Sequence, residues 1–322
     1  MNRFKTILIV ISLSICFGLK AQKYLKIDSA IKRYPKFSNT DKLAARINTD
    51  FNEPDEKARA IYAWISMNVK YDVELYYSGN RYKTFSYKTK EQLIEKEKKY
   101  FEKTATLTIK TKKGVCEEYS ILFKKMCDLC GLESTIITGG VKTKPSQIGV
   151  GFSLNNHVWN AVKIDGIWKL IDATWGAGTV DEKEKLFIHK YDDTYFFANP
   201  ERFSLNHYPK DTSWVLTKKS KEYFLKQPLY YNQTMAPEIL ILNPLTGLIN
   251  TEIGDTINFK IVNIPESATL AYEFSTEKYS HPLKTKIIEN NGLEFQIVNT
   301  TKFGYLTIYA NNISVVTFKI SD

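Results

Sequence analysis

Two alternating apolar runs meet at Asp165-Gly166 in HVWNAVKIDGIWKLIDATWG, and no other feature constrains this chain as strongly. An Asp-Gly connection favours a two-residue hairpin turn in which both central residues take positive φ, and the flanking runs have the period of half-buried strands. With that turn, Ile164 faces Ile167, and the same register carried outward sets Trp159 opposite Asp172 and His157 opposite Thr174. His157 and Asp172 are then diagonal neighbours on one sheet face, about 7–8 Å apart between backbones. That spacing lets a carboxylate orient an imidazole. Trp159, Ala161, Trp168 and Leu170 share the face and would shield the pair from water.

The start of the chain bears on where such a pair would work. MNRFKTILIVISLSICFGLKAQ has Arg3 and Lys5 as a basic head, then an apolar stretch from Ile7 to Leu19, then Lys20, Ala21 and Gln22. This is the layout of a secretory signal, with cleavage expected after Ala21. A lipoprotein anchor on Cys16 is the competing reading, weakened by Ile15 where a small residue is wanted. The remainder has no second apolar run, so the protein is expected to be exported, periplasmic or extracellular, with no stable membrane insertion after cleavage. Losing residues 1–21 lowers the net charge from +10 to +7. Nine lysines against four glutamates between Lys88 and Lys113 carry much of that excess. They lack the interleaved aromatics of a nucleic-acid surface and read as a solvated face, so nucleic acid is not an expected partner.

Export makes the cysteine count informative. Cys116, Cys127 and Cys130 remain after cleavage, and an odd number in an oxidising compartment leaves a thiol unpaired within the chain. Cys127 and Cys130 have CxxC spacing, but no second pair of cysteines or histidines completes a zinc site, and both fall on a helical stripe. That stripe starts at GVCEEYS and runs through Tyr119, Leu122, Phe123, Met126, Cys127 and Cys130, stopped by Gly131. Cys116 lies on the same face at the helix start, where the dipole and unpaired N–H groups favour a thiolate. Glu117 and Glu118 oppose that effect if they point at the sulfur. An earlier helix follows Pro54, with Ala58, Ile61, Tyr62, Ile65 and Val69 on one face and Asp55 and Glu56 in the first turn. Residues 23–52 read as a helical lead-in, and a charged helix is expected at about Lys90 to Lys103.

Cys116 as nucleophile, His157 as general base and acid, and Asp172 as orienter make the set that acyl transfer uses. The Cys116 N–H at the helix start is a ready oxyanion donor. His189, His207 and His281 are scattered without metal-ligand spacing, and no cofactor or metal is expected.

The same residues carry a resemblance. KARAIYAWISMNVKYD, then GVCEEYS, then NNHVWNAVKIDGIWKLIDATWGAG resemble the transglutaminase-like superfamily. FFANPERFSLNHYPKDTSWVLT is similar to the stretch after the triad in the kyphoscoliosis-peptidase and cytokinesis-protein branch. The resemblance spans about Asp55 to Leu216. It implies a papain-like α+β core, with the cysteine helix packed on an antiparallel sheet, and a Cys-His-Asp triad at Cys116, His157 and Asp172. It assigns His207 a structural part. It also implies a cysteine peptidase or amidase acting on a protein or peptide substrate. A cross-linking acyl transferase and a non-catalytic protein-binding scaffold are the alternatives.

From about Pro237 the pattern changes. Thr256–Val262, Ala268–Phe274, Lys284–Ile288, Leu293–Val298, Phe303–Tyr309 and Ser314–Ile320 read as six short strands, with turns at Asn291-Gly292 and Asn311-Asn312. A cysteine-free immunoglobulin-like β-sandwich is expected there. Its expected use is to dock a cell-surface partner or present the cleft to substrate. The expected organisation is thus a leader over 1–21, a catalytic domain over 22–236 and a sandwich over 237–322.

Overall fold

The structure, a computed structural model, describes residues 22–79, 85–231, 239–265, 267–289 and 292–321. The leader and Cys16, the change of pattern at Pro237, and Asn291 of one expected turn lie outside the described residues. No helix among the described residues is long and apolar enough to cross a membrane. The chain forms two compact units, one of residues up to Ile137 with Val158–Ala198, the other of Thr138–His157 with Asn199 onward.

The first unit is mainly helical. Residues 22–32 are helical, followed by α1 (Thr40–Asp50) and α2 (Pro54–Asn68). Proline suits the first turn of α2 because its missing N–H would have no intrahelical partner, and Asp55 and Glu56 complement the dipole there. Ala58, Ile61, Tyr62, Trp64 and Ile65 are fully or almost fully buried. Each large side chain of this kind contributes about 1.5–3 kcal/mol through removal from water. Arg59 is buried among them, its Nε and Nη2 donating to Asp28 at 2.8 and 2.6 Å and its Nη2 also to Asp193 at 2.9 Å. The rings of Phe196 and Tyr24 lie 4.9 and 5.2 Å from the guanidinium carbon.

The lysine-rich helix α3 runs over Lys90–Thr111, beyond the Lys103 expected from sequence. Its added turns bury Thr104, Ala105, Thr108 and Ile109, a face too polar to announce itself by hydropathy. Then comes α4 (Cys116–Leu129), with Tyr119, Leu122, Phe123, Met126 and Cys127 buried, and Gly131 leaves the helix at φ 73°. The hairpin strands His157–Ile164 and Ile167–Ile171 follow, with a short strand Phe196–Ala198 on the far side of the second.

In the second unit the end of the Ser134–Val141 strand pairs with His207–Pro209, Val141 opposite His207. Just past it, Lys142 is buried, and its Nζ donates to the carbonyls of Phe224, Leu225 and Gln227 at 2.8, 3.1 and 2.7 Å. Burial pulls Lys142 down to about 7, while three acceptors that cannot donate favour the ammonium. Beyond residue 239 two sheets form. One orders Leu240–Asn243, Thr256–Val262, Gly292–Val298 and Lys286–Ile288; the other is built on Leu270–Phe274, Gly304–Ala310 and Ile313–Ser321. The sheets face each other through aromatic rings. Phe259 stacks on its strand neighbour Phe295 at 5.2 Å and meets Phe318 of the other sheet edge-on at 5.3 Å. Asn311 and Asn312 take φ 51° and 63°, as the expected turn requires.

Candidate active site

Cys116 is the first residue of α4 and 6% exposed. The residue before it, Val115, has no side-chain acceptor with which to cap the helix. Glu118 supplies part of the cap in reverse, its Oε2 accepting from the Val115 N–H at 2.8 Å. The Glu118 side chain then lies so close to Gly114 that any Cβ there would overlap it. The glycine two residues before the thiol is therefore a steric requirement of this cap. The first N–H groups of α4, that of Cys116 included, have no intrahelical acceptor, and the positive end of the helix dipole lies at the thiol.

The two acids of this turn oppose a thiolate less than their formal charge implies. Glu118 is held up by burial despite its hydrogen bond to Val115. Burial, with the Glu118 charge adding to it, pushes Glu117 up to about 7. A carboxyl whose folded pKa is raised binds its proton more tightly in the folded state. Its contribution to stability is complete below its ordinary value of 4.5 and is lost as pH rises through about 7. Glu117→Gln should therefore gain on wild type between pH 4 and 8, by about 1 kcal/mol once solvent screening of a partly exposed carboxyl is allowed for. Urea denaturation at the two pH values measures this; an equal difference at both would refute it.

The hairpin register matches the sequence reading from Ile164↔Ile167 to Asn160↔Ile171, and Asp165 and Gly166 take φ 50° and 77°. The ladder ends there, which corrects the expectation that it continues through Asp172 and Thr174. The Asp172 N–H donates to the Tyr195 carbonyl at 3.0 Å. Asp172 then caps a short helix α5 (Ala173–Ala177), its Oδ1 accepting from Thr174 and Trp175 N–H at 2.9 and 3.0 Å. Alternation alone cannot signal this, because an aspartate before Ala-Thr suits a strand end and a helix cap equally. Asp172 is 1% exposed, and its orientation is set by backbone donors.

The first unit brings Asp172 near the cysteine helix. α5 packs on α4, and the Asp172 charge adds to burial in holding the Tyr119 phenol up. Tyr119 in turn donates to the Val69 carbonyl at 2.5 Å. One residue on, Ser120 Oγ donates to the Val158 carbonyl at 3.2 Å, and Asn160 Nδ2 donates to the Ser120 carbonyl at 3.1 Å. The start of α4 is thereby tied to Val158, one peptide bond from His157.

His157 opens its strand and is buried. Within the second unit its ring lies beside that of His207, centroids 5.6 Å apart, and His207 stacks on Phe203 at 3.9 Å. This neighbour of the candidate base has a sequence position fifty residues away, so no spacing rule reveals it. His189 hydrogen-bonds the Ser66 carbonyl at 2.7 Å and His281 meets Glu277 at 2.9 Å. Cys127 and Cys130 are buried and unpaired as disulfides. Burial holds the Cys127 thiol well up and pushes Cys130 to about 11, so neither is a ready thiolate.

Residues 41–173 match a family described as the transglutaminase-like superfamily. The chain is 28% identical over 288 residues to the human kyphoscoliosis peptidase, covering 88% of this chain and 40% of that protein. Hillarin of Drosophila melanogaster is 35% identical over 115 residues, which cover 32% of this chain and 14% of hillarin. The Lim and transglutaminase domain protein ltd-1 of Caenorhabditis elegans is 34% identical over 113 residues, 31% of this chain and 15% of that protein. The chain thus spans well under half the length of the curated relatives it matches.

Proposed function

The chain carries a transglutaminase-like domain of mixed helix and strand over residues 41–173, and from that premise we propose that it is a cysteine hydrolase of peptide or amide bonds. The observation that carries this is the position of Cys116, a buried thiol at the start of a helix that packs on the short helix Asp172 caps and that is hydrogen-bonded through Ser120 to the strand that His157 opens. Cys116 is the nucleophile, His157 the general base and acid, and Asp172 the orienter.

In the first half-reaction the imidazole takes the Cys116 proton and Sγ attacks the substrate carbonyl carbon. The oxyanion is met by the Cys116 N–H. The C–N bond breaks as the imidazolium protonates the departing amine, leaving a thioester. Water then gives a proton to the imidazole and attacks the thioester carbonyl, and the C–S bond breaks as the thiol is restored. The likeness to the kyphoscoliosis peptidase favours water over an amine as the acceptor. We also propose that the protein is exported, on the strength of its amino-terminal layout. The two aromatic-packed sheets after residue 239 support an immunoglobulin-like reading of that region.

The test is the alkylation rate of Cys116 by iodoacetamide from pH 4 to 9, in wild type and in His157→Ala, with Cys127 and Cys130 resolved by peptide mass spectrometry. Alkylation of Cys116 faster than that of Cys127 and Cys130, with the excess lost in His157→Ala, is the expected result. A Cys116 rate unchanged by His157→Ala would refute it and favour a scaffold.

A further inference from the structure

We propose that the two-sheet region beyond residue 239 carries a binding cleft for an acidic, uronate-bearing oligosaccharide. A cleft of about 990 Å³ lies over the outward face of the Thr256–Val262 and Gly292–Val298 strands, at the upper end of the usual range for ligand sites. Its wall is the Pro282–Lys286 segment, which leaves the edge of one sheet and enters the other.

The cleft floor follows from the strand period. Ile257, Phe259 and Ile261 point inward, as do Leu293, Phe295 and Ile297, so Asn258, Lys260, Glu294 and Gln296 point outward. Asn258 is paired with Gln296 and Lys260 with Glu294. Gln296 Nε2 donates to Asn258 Oδ1 at 2.8 Å, and Asn243 Nδ2 from the next strand donates to the Asn258 carbonyl at 2.5 Å. These bonds orient the amides while leaving each with further donor or acceptor capacity, since a carboxamide offers two N–H groups and two lone pairs. A row of oriented groups that both donate and accept matches sugar hydroxyls.

Charge selects among sugars. Lys260, Lys284 and Lys286 line the cleft against one acid, Glu294. Lys260 and Glu294 are 3.9 Å apart, and no ion-pair partner of Lys284 or Lys286 occurs among the described residues. The half-buried ring of Tyr272 adds an apolar surface at the wall. Lysine ammoniums beside amides and an aromatic ring fit a chain of hydroxylated rings bearing carboxylates. A peptide is disfavoured because both floor strands lie inside the sheet, with neighbours on each side, and offer no open edge for strand addition.

This reading is independent of the thiol chemistry, and its test leaves Cys116 in place. Full-length protein is titrated calorimetrically with hexagalacturonate, with neutral maltohexaose and with poly-glutamate. Hexagalacturonate should bind at least ten-fold tighter than either, weaken as salt rises, and lose at least ten-fold in Lys284→Ala/Lys286→Ala and in Asn258→Leu/Gln296→Leu, all with unaltered thermal melts. Absence of hexagalacturonate binding overturns the proposal. So does equal binding of maltohexaose, equal binding of poly-glutamate, or binding unchanged in either double variant.

Discussion

Cys116→Ala should abolish turnover while the protein remains folded. No other group described can form the thioester: Cys127 and Cys130 are buried deep in the α4 region and their thiols are held up by burial. In enzymes built on a nucleophile and base acting as a unit, removing the nucleophile costs about 10⁴- to 10⁶-fold in rate. The structural cost is small, since alanine keeps the helix start and loses one sulfur, about 1 kcal/mol. The measurement is a peptide-digest library incubated with both proteins, with cleavage and the Cys116 acyl adduct followed by mass spectrometry and the fold by circular dichroism. Turnover surviving in a folded Cys116→Ala protein would end the hydrolase reading.

Asp28→Ala should strongly destabilise the first unit. It strips the bidentate partner from Arg59, whose side chain is 2% exposed, and leaves as its ion-pair partner among the described residues Asp193, whose side chain is 59% exposed. Breaking a buried pair on one side costs about 3–5 kcal/mol, a large part of a typical total of about 5–15. Replacing both charges, in Asp28→Leu/Arg59→Met, should restore most of that loss, because the uncompensated ion is gone and its aromatic surroundings accept an apolar chain. Urea denaturation of the two variants decides. A loss under 1 kcal/mol in Asp28→Ala, or a double variant weaker than the single, would show that the pair is not what holds residues 22–32 to α2.

That pair also shows where sequence reasoning stops. Patterns that repeat locally were legible: the Asp165-Gly166 hairpin and its register, the apolar faces of α2 and α4, and the strands around Thr256–Val262 and Leu270–Phe274. Arg59 occupies a position in α2 that periodicity treats as ordinary, and only the fold brings Asp28 and Asp193 to it. The end of the hairpin ladder was hidden for another reason. Asp172 is drawn out of the strand by Tyr195, twenty-three residues later, and by two amides of the helix it caps. Candidate nucleophile, base and carboxylate could be nominated from residue type and order. The Glu118 cap, the nearness of Asp172 to Tyr119 and the His207 ring beside His157 are products of packing.

Lys142 has a bearing on how the chain avoids misassembly. Sheets whose strands carry Gly139 and Gly140 have little apolar pattern to forbid sliding by one residue. A one-residue slip would carry Val141 or Thr143 to the place where three carbonyls converge; the valine side chain has no donor and the threonine hydroxyl only one. The amine therefore acts as an index pin, selecting one alignment of Val141 on His207 by making the neighbouring alignments leave buried oxygens unanswered.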